Sequence, residues 1–293
     1  MITFFTDTDC DVNLNDAKRL NFKLISMPYT LSSGEVFPYE DYEEFNSHEF
    51  YDLLRNGETP KTSGLSPDRY IKYFEPEFEK GNDIFYTHFS SKMSSTFNSM
   101  ELAINELKEK YPDRKFYSLD TLAITGLARA IVEEVAVLRD KGIAPEEIIK
   151  IINKDVLQHY SLAGYANDLD FFKRSGRLNN AAAFFGKLVH AKPIICIDEH
   201  GKMGAFGKEI GKKNALRKII LIVEELGDEI DKHFLFITHS DCLELVEIVK
   251  NELNSHFKKE LNFKVIDLNP TAGVHSGPSC IGVIFHSKRR ILW

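Results

Sequence analysis

Apolar residues along this 293-residue chain recur in two rhythms. Short continuous runs read as buried strands, and stripes at spacings of three and four read as helices. Ile2–Thr6 is a run of the first kind, closed by the acidic turn Asp7-Thr8-Asp9-Cys10-Asp11. Phe22–Tyr29 predicts a second strand. Residues 32–60 are rich in Tyr, Phe, Glu and Asp without a long clean period, and only Ser47–Asn56 reads as a helix there. Ser66 ahead of Pro67 is a good helix start, with serine as N-cap and proline at the first helical position. That helix is expected to reach Lys80 and stop at Gly81. Asp83–Phe89 reads as a strand. Phe97, Met100, Ile104, Leu107 and Tyr111 then share one helix face. Lys115–Leu119 predicts the next strand. Leu127, Ile131, Val135 and Leu138 mark a helix ending at Gly142, and Pro145 opens another that runs to about Leu157. Strands alternating with helices imply a parallel α/β sheet.

From Tyr160 the rhythm changes. Ser161–Ala166 and Lys192–Ile197 predict strands, and Asp198–Lys202 reads as a hairpin turn into Met203–Gly207. Helices are expected at about 212–230 and 242–256, with strands at 233–238, 263–268 and 281–285. Two helices with several strands, some joined by hairpins, suggest an α+β layer with a mixed or antiparallel sheet. The fold class is therefore α/β, with an N-terminal parallel-sheet domain over 1–158 and a C-terminal α+β layered domain over 159–293.

Composition narrows the function. The chain is 43% hydrophobic, ample for a core at this length, and its net charge is −7. An acidic chain of this kind is not expected to bind nucleic acid, or an anionic membrane more than transiently. The run Ile2–Phe5 has no basic residue ahead of it and is cut by Asp7, so no leader peptide is expected. No stretch is long and apolar enough to span a bilayer. Cys10, Cys196, Cys242 and Cys280 are scattered and form no CxxC pair. They read as buried thiols of a cytoplasmic protein.

The candidate chemistry lies in two hydroxyl-rich clusters set before helices. One is Thr62-Ser63-Gly64-Leu65-Ser66-Pro67, the other Ser90-Ser91-Lys92-Met93-Ser94-Ser95-Thr96. Hydroxyls and free N–H groups at helix N-termini cradle a small anion, and with few cations nearby they suit a single carboxylate better than a polyphosphate. The second cluster follows a parallel strand, where open α/β sheets bind ligands. A cap needs one hydroxyl, and this stretch has five. Arg174-Ser175-Gly176-Arg177 is a basic turn, read equally as an anion contact or a solvated helix end. Asn179–Ala191, with Phe184 and Phe185, reads as tunnel lining or as plain packing. His275-Ser276-Gly277-Pro278 reads as a glycine-rich loop before the last strand, where a histidine is a functional candidate. The remaining histidines lack HxH or HExxH spacing, and the Asp7-Asp9-Asp11 run lacks the later calcium ligands, so no metal is expected. There is no GxSxG, P-loop or dinucleotide motif, and a Ser94, His275 and Asp7 hydrolase stays open without spacing to demand it.

Taken in order, these motifs resemble the DegV family of bacterial fatty-acid-binding proteins, and the resemblance spans almost the whole chain. The acidic strand end is Thr6–Asp11. The TSxPSP motif is Thr62–Pro67, with Leu65 for proline. The SSxLSGT motif is Ser90–Thr96, with Ser95 for glycine. The LxYLxxGGR motif is Leu169–Arg177, with Phe172 for leucine and Ser175 for a glycine. Lys192-Pro193-Ile194 is the Lys-Pro-Ile strand start, and HxGPG is His275–Ser279, with Ser279 for glycine. A basic family position near Lys208–Lys213 is Ile210 here. Serines in place of glycines narrow the backbone space around a ligand.

The resemblance implies two α/β domains enclosing one long-chain fatty acid, with no other cofactor. Carried to matching positions, Thr62, Ser63 and Ser94, with Ser95, Thr96 and Ser276 beside them, would hold the carboxylate. His275 and Arg177 would lie near the phosphorylation chemistry and are the catalytic candidates. The partner implied is an ATP-dependent kinase subunit related to dihydroxyacetone kinases, which makes the acyl phosphate and feeds phospholipid metabolism. The chain alone would then be a binding subunit, not an enzyme. The alternatives are the Ser94/His275 acyl hydrolase, and a small-anion module whose second cavity is filled by Phe184 and Phe185.

Overall fold

A computed structural model describes residues 1–177 and 191–291. The expected α/β architecture is present, with a parallel sheet first and a mixed sheet with helices second. Strand β1 (Ile2–Asp7) ends in a single 3₁₀ turn, and α1 (Leu14–Leu20) leads to β2 (Lys23–Ile25). The apolar run over 22–29 does not form one strand. Pro28 lacks an N–H and interrupts it, so β3 (Tyr29–Leu31) joins a different sheet. With β4 (Gly34–Val36) and β5 (Lys61–Thr62) it makes a small antiparallel sheet, whose strands are too short to show a period. Helix α2 (Ser47–Arg55) lies between β4 and β5 and is capped by Asn46, which accepts from Glu49 N.

Helix α3 (Pro67–Glu79) begins as its sequence dictates, with the Ser66 hydroxyl accepting from Arg69 N at 3.3 Å. Strand β6 (Asp83–His88), α4 (Thr96–Lys110), β7 (Phe116–Asp120), α5 (Thr125–Asp140) and α6 (Pro145–Ile151) follow. The sheet order is β2-β1-β6-β7, all parallel. Phe5, Phe74, Phe85 and Tyr86 are fully buried at its centre.

A π-helical turn and a 3₁₀ turn lead to β8 (Tyr160–Tyr165) and α7 (Leu169–Ser175). Then come β9 (Ala191–Ile197), β10 (Met203–Ile210), α8 (Lys212–Leu226), β11 (Leu235–His239) and α9 (Leu243–Phe257). Strand β12 (Phe263–Asp267), α10 (Pro270–Ser276) and β13 (Ile281–His286) complete the described chain. The order is β10-β9-β8-β13-β11-β12, and only the β11–β12 pair is parallel. Helices α7 and α10 are absent from the sequence reading, because seven residues carry too little periodicity to register. His275 accordingly sits in the last turn of α10, not in a loop. Asn269 caps that helix through Ala272 N at 2.8 Å, with Pro270 at its first position.

Ile281, Val283 and Phe285 of β13 pack under α8 and α9, while Ile284 faces the first sheet's core. Helix α5 meets that face closely. A Cβ on Gly126 would lie 2.8 Å from Ile284 Cδ1, so a side chain there would push the end of Ile284 aside. A buried polar tie between the two halves is Asp11, a residue in the left-handed region (φ 50°) that aspartate tolerates. Its Oδ1 accepts from Asn269 N at 3.0 Å and Asn269 Nδ2 at 2.7 Å, and its Oδ2 accepts from Thr238 Oγ1 at 3.0 Å. The small sheet is tied down by Tyr51, whose hydroxyl donates to Leu268 O at 3.0 Å. Among the described residues no helix is long and apolar enough to cross a membrane.

Candidate functional site

The carboxyl ends of β1 and β6, the starts of α3 and α4, strand β5 and helix α10 converge on one cavity of about 290 Å³. Thr62, Ser63, Ser94 and Ser95 line it, and so do Thr96, Arg177, His275 and Ser276. All eight residues singled out in the sequence are thus brought together. The rest of the wall is mainly apolar, with Phe89, Ile124, Leu162, Ile195, Leu268 and Ile281 contributed by both sheets and their connections. Asn179–His190, including Phe184 and Phe185, lies outside the described residues.

The hydroxyls are not equivalent. Thr62 Oγ1 and His275 Nε2 are 3.0 Å apart, a contact that joins β5 to α10. The Ser63 hydroxyl donates to Glu35 at 3.0 Å, near the surface. Ser94 Oγ accepts from Thr96 N at 3.2 Å, so the first α4 amide is capped by Ser94 while Ser95 makes no side-chain cap. Thr96 Oγ1 is taken up by Leu65 N at 2.9 Å and the Tyr70 hydroxyl at 3.0 Å. Ser90 is structural: it donates to Gly201 O at 2.7 Å and holds the β9–β10 hairpin tip against the first sheet. Two further cavity atoms, His275 Nδ1 and Ser276 Oγ, are buried without a hydrogen-bond partner among the described residues. Orphaned polar atoms at one place in an apolar cavity are what a polar ligand group satisfies.

Burial, assisted by the positive charge of Arg177, pushes the His275 imidazole down to about 4. At neutral pH it is uncharged. Ser94, His275 and Asp7 do not assemble into a hydrolytic triad. His275 Nε2 meets Thr62, its Nδ1 meets nothing, and Asp7 accepts instead from the Tyr86 hydroxyl at 2.9 Å and Phe89 N at 3.1 Å. Asp9 is a polar lining residue outside the eight. It is 4% exposed, and its Oδ1 lacks a partner among the described residues. Its signal was available, because it stands just past the carboxyl end of β1, where ligands of open sheets bind. Of the three serines in family glycine positions, only Ser279 adopts a left-handed φ (61°), where glycine is the unstrained residue. Ile210 is half exposed at the end of the edge strand β10.

Among the described residues, the side chains His48, Asp52 and Asp241 approach one another as metal ligands would. The Arg55 guanidinium, however, is hydrogen-bonded to both carboxylates and supplies the positive charge there.

Comparison with known proteins agrees with this geometry. The family model described as "Uncharacterised protein, DegV family" matches residues 1–288. A DegV domain-containing protein of Clostridium perfringens is 30% identical over 284 residues, covering 96% of each chain. Among solved structures, a fatty-acid-binding DegV family protein from Thermus thermophilus superposes with a TM-score of 0.83 at 24% identity, covering 98% of this chain and 99% of that one. A stearic-acid-binding protein from Eubacterium ventriosum gives 0.86 at 18% identity, covering 98% and 99%. With the family model spanning nearly its full length, the chain belongs to the DegV family.

Proposed function

We propose that this protein binds one long-chain fatty acid in the cavity and presents its carboxylate to a separate ATP-dependent kinase subunit, which forms the acyl phosphate. The observation that carries the reading is the cavity itself, apolar over most of its wall, with hydroxyls and orphaned polar atoms among its lining residues. The fatty acids bound by structural relatives support the ligand class. In this reading the head group is held mainly by residues of 1–158, and the acyl chain runs against residues of 159–293. Burying about 14 methylenes gains roughly 11 kcal/mol gross, part of which is lost to immobilisation and desolvation. The head group therefore needs only enough donors to avoid an unpaired buried carboxylate. Neutral donors also leave its oxygen free to attack a phosphoryl group.

Solvent extraction of untreated protein followed by mass spectrometry tests the ligand. One fatty acid per chain is the expected result. A protein that is empty and takes up neither palmitate nor oleate sinks the proposal. Thr62→Ala and Ser94→Ala are each expected to weaken retention by roughly ten- to a hundredfold, the size of one lost hydrogen bond to a charged group. Arg177 is proposed to steady charge on the transferring phosphoryl group. Arg177→Ala should retain fatty acid yet slow kinase turnover by at least about tenfold. Unchanged turnover would remove Arg177 from the mechanism.

A further inference from the structure

The cavity holds a carboxyl group that the binding reading does not use. Asp9 is 4% exposed, lines the cavity wall, and leaves Oδ1 unpartnered among the described residues. Its neighbours come from several elements. Asp7 and Asp11 stand in the same turn. Thr271 of α10, four residues before His275 and so on the same helix face, has its hydroxyl beside Asp9 while donating to Met27 O at 3.3 Å. Tyr70 of α3 is close enough to feel its charge, and its own hydroxyl meets Thr96 of the cavity wall. Tyr86 of β6 is engaged with Asp7. The nearby cation, Arg129 of α5, is spent on Asp16, Glu133 and Asp11 O. His275 and Arg177 share the cavity. No positively charged side chain is therefore hydrogen-bonded to Asp9 among the described residues.

A carboxylate ligand beside an ionised aspartate is repelled, and the cavity's cation, Arg177, donates to Ser175 O and makes no hydrogen bond to Asp9 among the described residues. A carboxylic acid facing a carboxylate is instead a short, strong donor–acceptor pair. We infer that Asp9 takes part in head-group recognition as an un-ionised carboxylic acid, donating its proton in a hydrogen bond to the ligand's carboxylate, so that binding the ligand also binds a proton. The inference rests on the carboxylate reading above and deepens it. Desolvation, and then the charge of Asp7, hold the Asp9 carboxyl well above the usual aspartate range, which favours this state. The sign follows. A negative ligand raises the Asp9 proton affinity further, so ligand affinity is full at low pH and lost as pH rises through the titration of Asp9. His275 is neutral throughout that range.

The test is equilibrium binding of myristate below its micelle concentration, from pH 6.5 to 9.5, with tetradecanol as the ligand lacking a carboxylate. Wild-type affinity for myristate should fall by up to about tenfold per pH unit over part of this range, the slope of one linked proton. Asp9→Asn keeps a donor without a titration and should bind myristate with no pH slope. Asp9→Ala should also be flat, and weaker than Asp9→Asn. Tetradecanol should show no slope with any of the three. Calorimetry in two buffers of different ionisation enthalpy should register net proton uptake with myristate for the wild type and none for Asp9→Asn. Circular dichroism checks that the variants are folded. The inference is overturned by a flat wild-type profile, by a slope that survives in Asp9→Asn, or by the same slope with tetradecanol. Failure of the wild type to bind myristate at any pH, by contrast, would overturn the fatty-acid reading itself.

Discussion

Asp11→Ala is expected to lower the unfolding free energy by about 3–5 kcal/mol. The side chain accepts from Asn269 N, Asn269 Nδ2 and Thr238 Oγ1, all three in the second half of the chain and all buried. Alanine leaves these donors facing a void, each costing ~1–3 kcal/mol when unsatisfied. The loss spreads to the site, since Asn269 caps α10 and α10 carries Thr271, His275 and Ser276. Asp11→Asn is the discriminating control. Its amide oxygen still accepts from Asn269, and its NH₂ donates to the Thr238 hydroxyl, so it should cost under ~1 kcal/mol near neutral pH. Burial raises the Asp11 carboxyl from 3.8 to about 7. A raised folded-state value means stability is full below the unfolded value and is lost as pH climbs towards 7. Asp11→Asn lacks that loss. Its stability relative to wild type should therefore rise between pH 4 and 7, by up to about 1.4 kcal/mol per unit. Taking the difference cancels the buried histidines, which titrate in the opposite sense in the same window. Urea unfolding of the three proteins at several pH values measures both effects. An alanine variant within 1 kcal/mol of wild type would show that Asp11 does not hold the sheets together.

Ile195→Trp is expected to cut fatty-acid uptake by about a hundredfold while leaving the protein folded. Ile195 lies on β9, 7% exposed, with Phe172, Ala166 and Cys280 around it, and it forms cavity wall. An indole there displaces three or four methylenes of ligand, worth roughly 3 kcal/mol at ~0.8 each. Overpacking costs the fold about 1–3 kcal/mol, which thermal unfolding will register as a modest shift. Ile195→Val should bind nearly as the wild type does. A shorter acid such as decanoate should lose less affinity than palmitate in the tryptophan variant, because its tail ends before the blocked volume. Palmitate uptake within threefold of wild type would mean that the acyl chain takes another route.

The elements that announced themselves in the sequence are those long enough to show a period or bounded by unambiguous punctuation. Helix α3 is an example of both, with Ser66-Pro67 at its start and Gly81 just past its end. What escaped was short. Strands β3, β4 and β5 span two or three residues each, and α7 and α10 seven. Their stability comes from tertiary contacts such as Tyr51 with Leu268 O, which no local pattern records. The site was readable because anion cradles need hydroxyls and free amides at helix starts, and those residue types cluster in sequence. The partnership of Thr62 with His275 was not, since it joins residues 213 positions apart. Asp9 was legible by its position past β1 but not by its residue type. An acidic turn reads as solvated or calcium-binding, and only burial reveals a carboxyl facing a cavity.

Strand β13, the last of the described elements, lies in the middle of the second sheet, between β8 and β11. The chain lays down β8, β9, β10, β11 and β12 before the strand that unites them exists. Until β13 inserts, β8 and β11 each expose a row of unpaired amides and carbonyls, and the apolar faces of α8 and α9 have no complete floor. Edges in that state pair readily with foreign strands. The barrier to forming this sheet is therefore one of search over long sequence separation rather than of local propensity. During synthesis the second half must wait for its final strand to leave the ribosome, while the parallel sheet of the first half can already have closed.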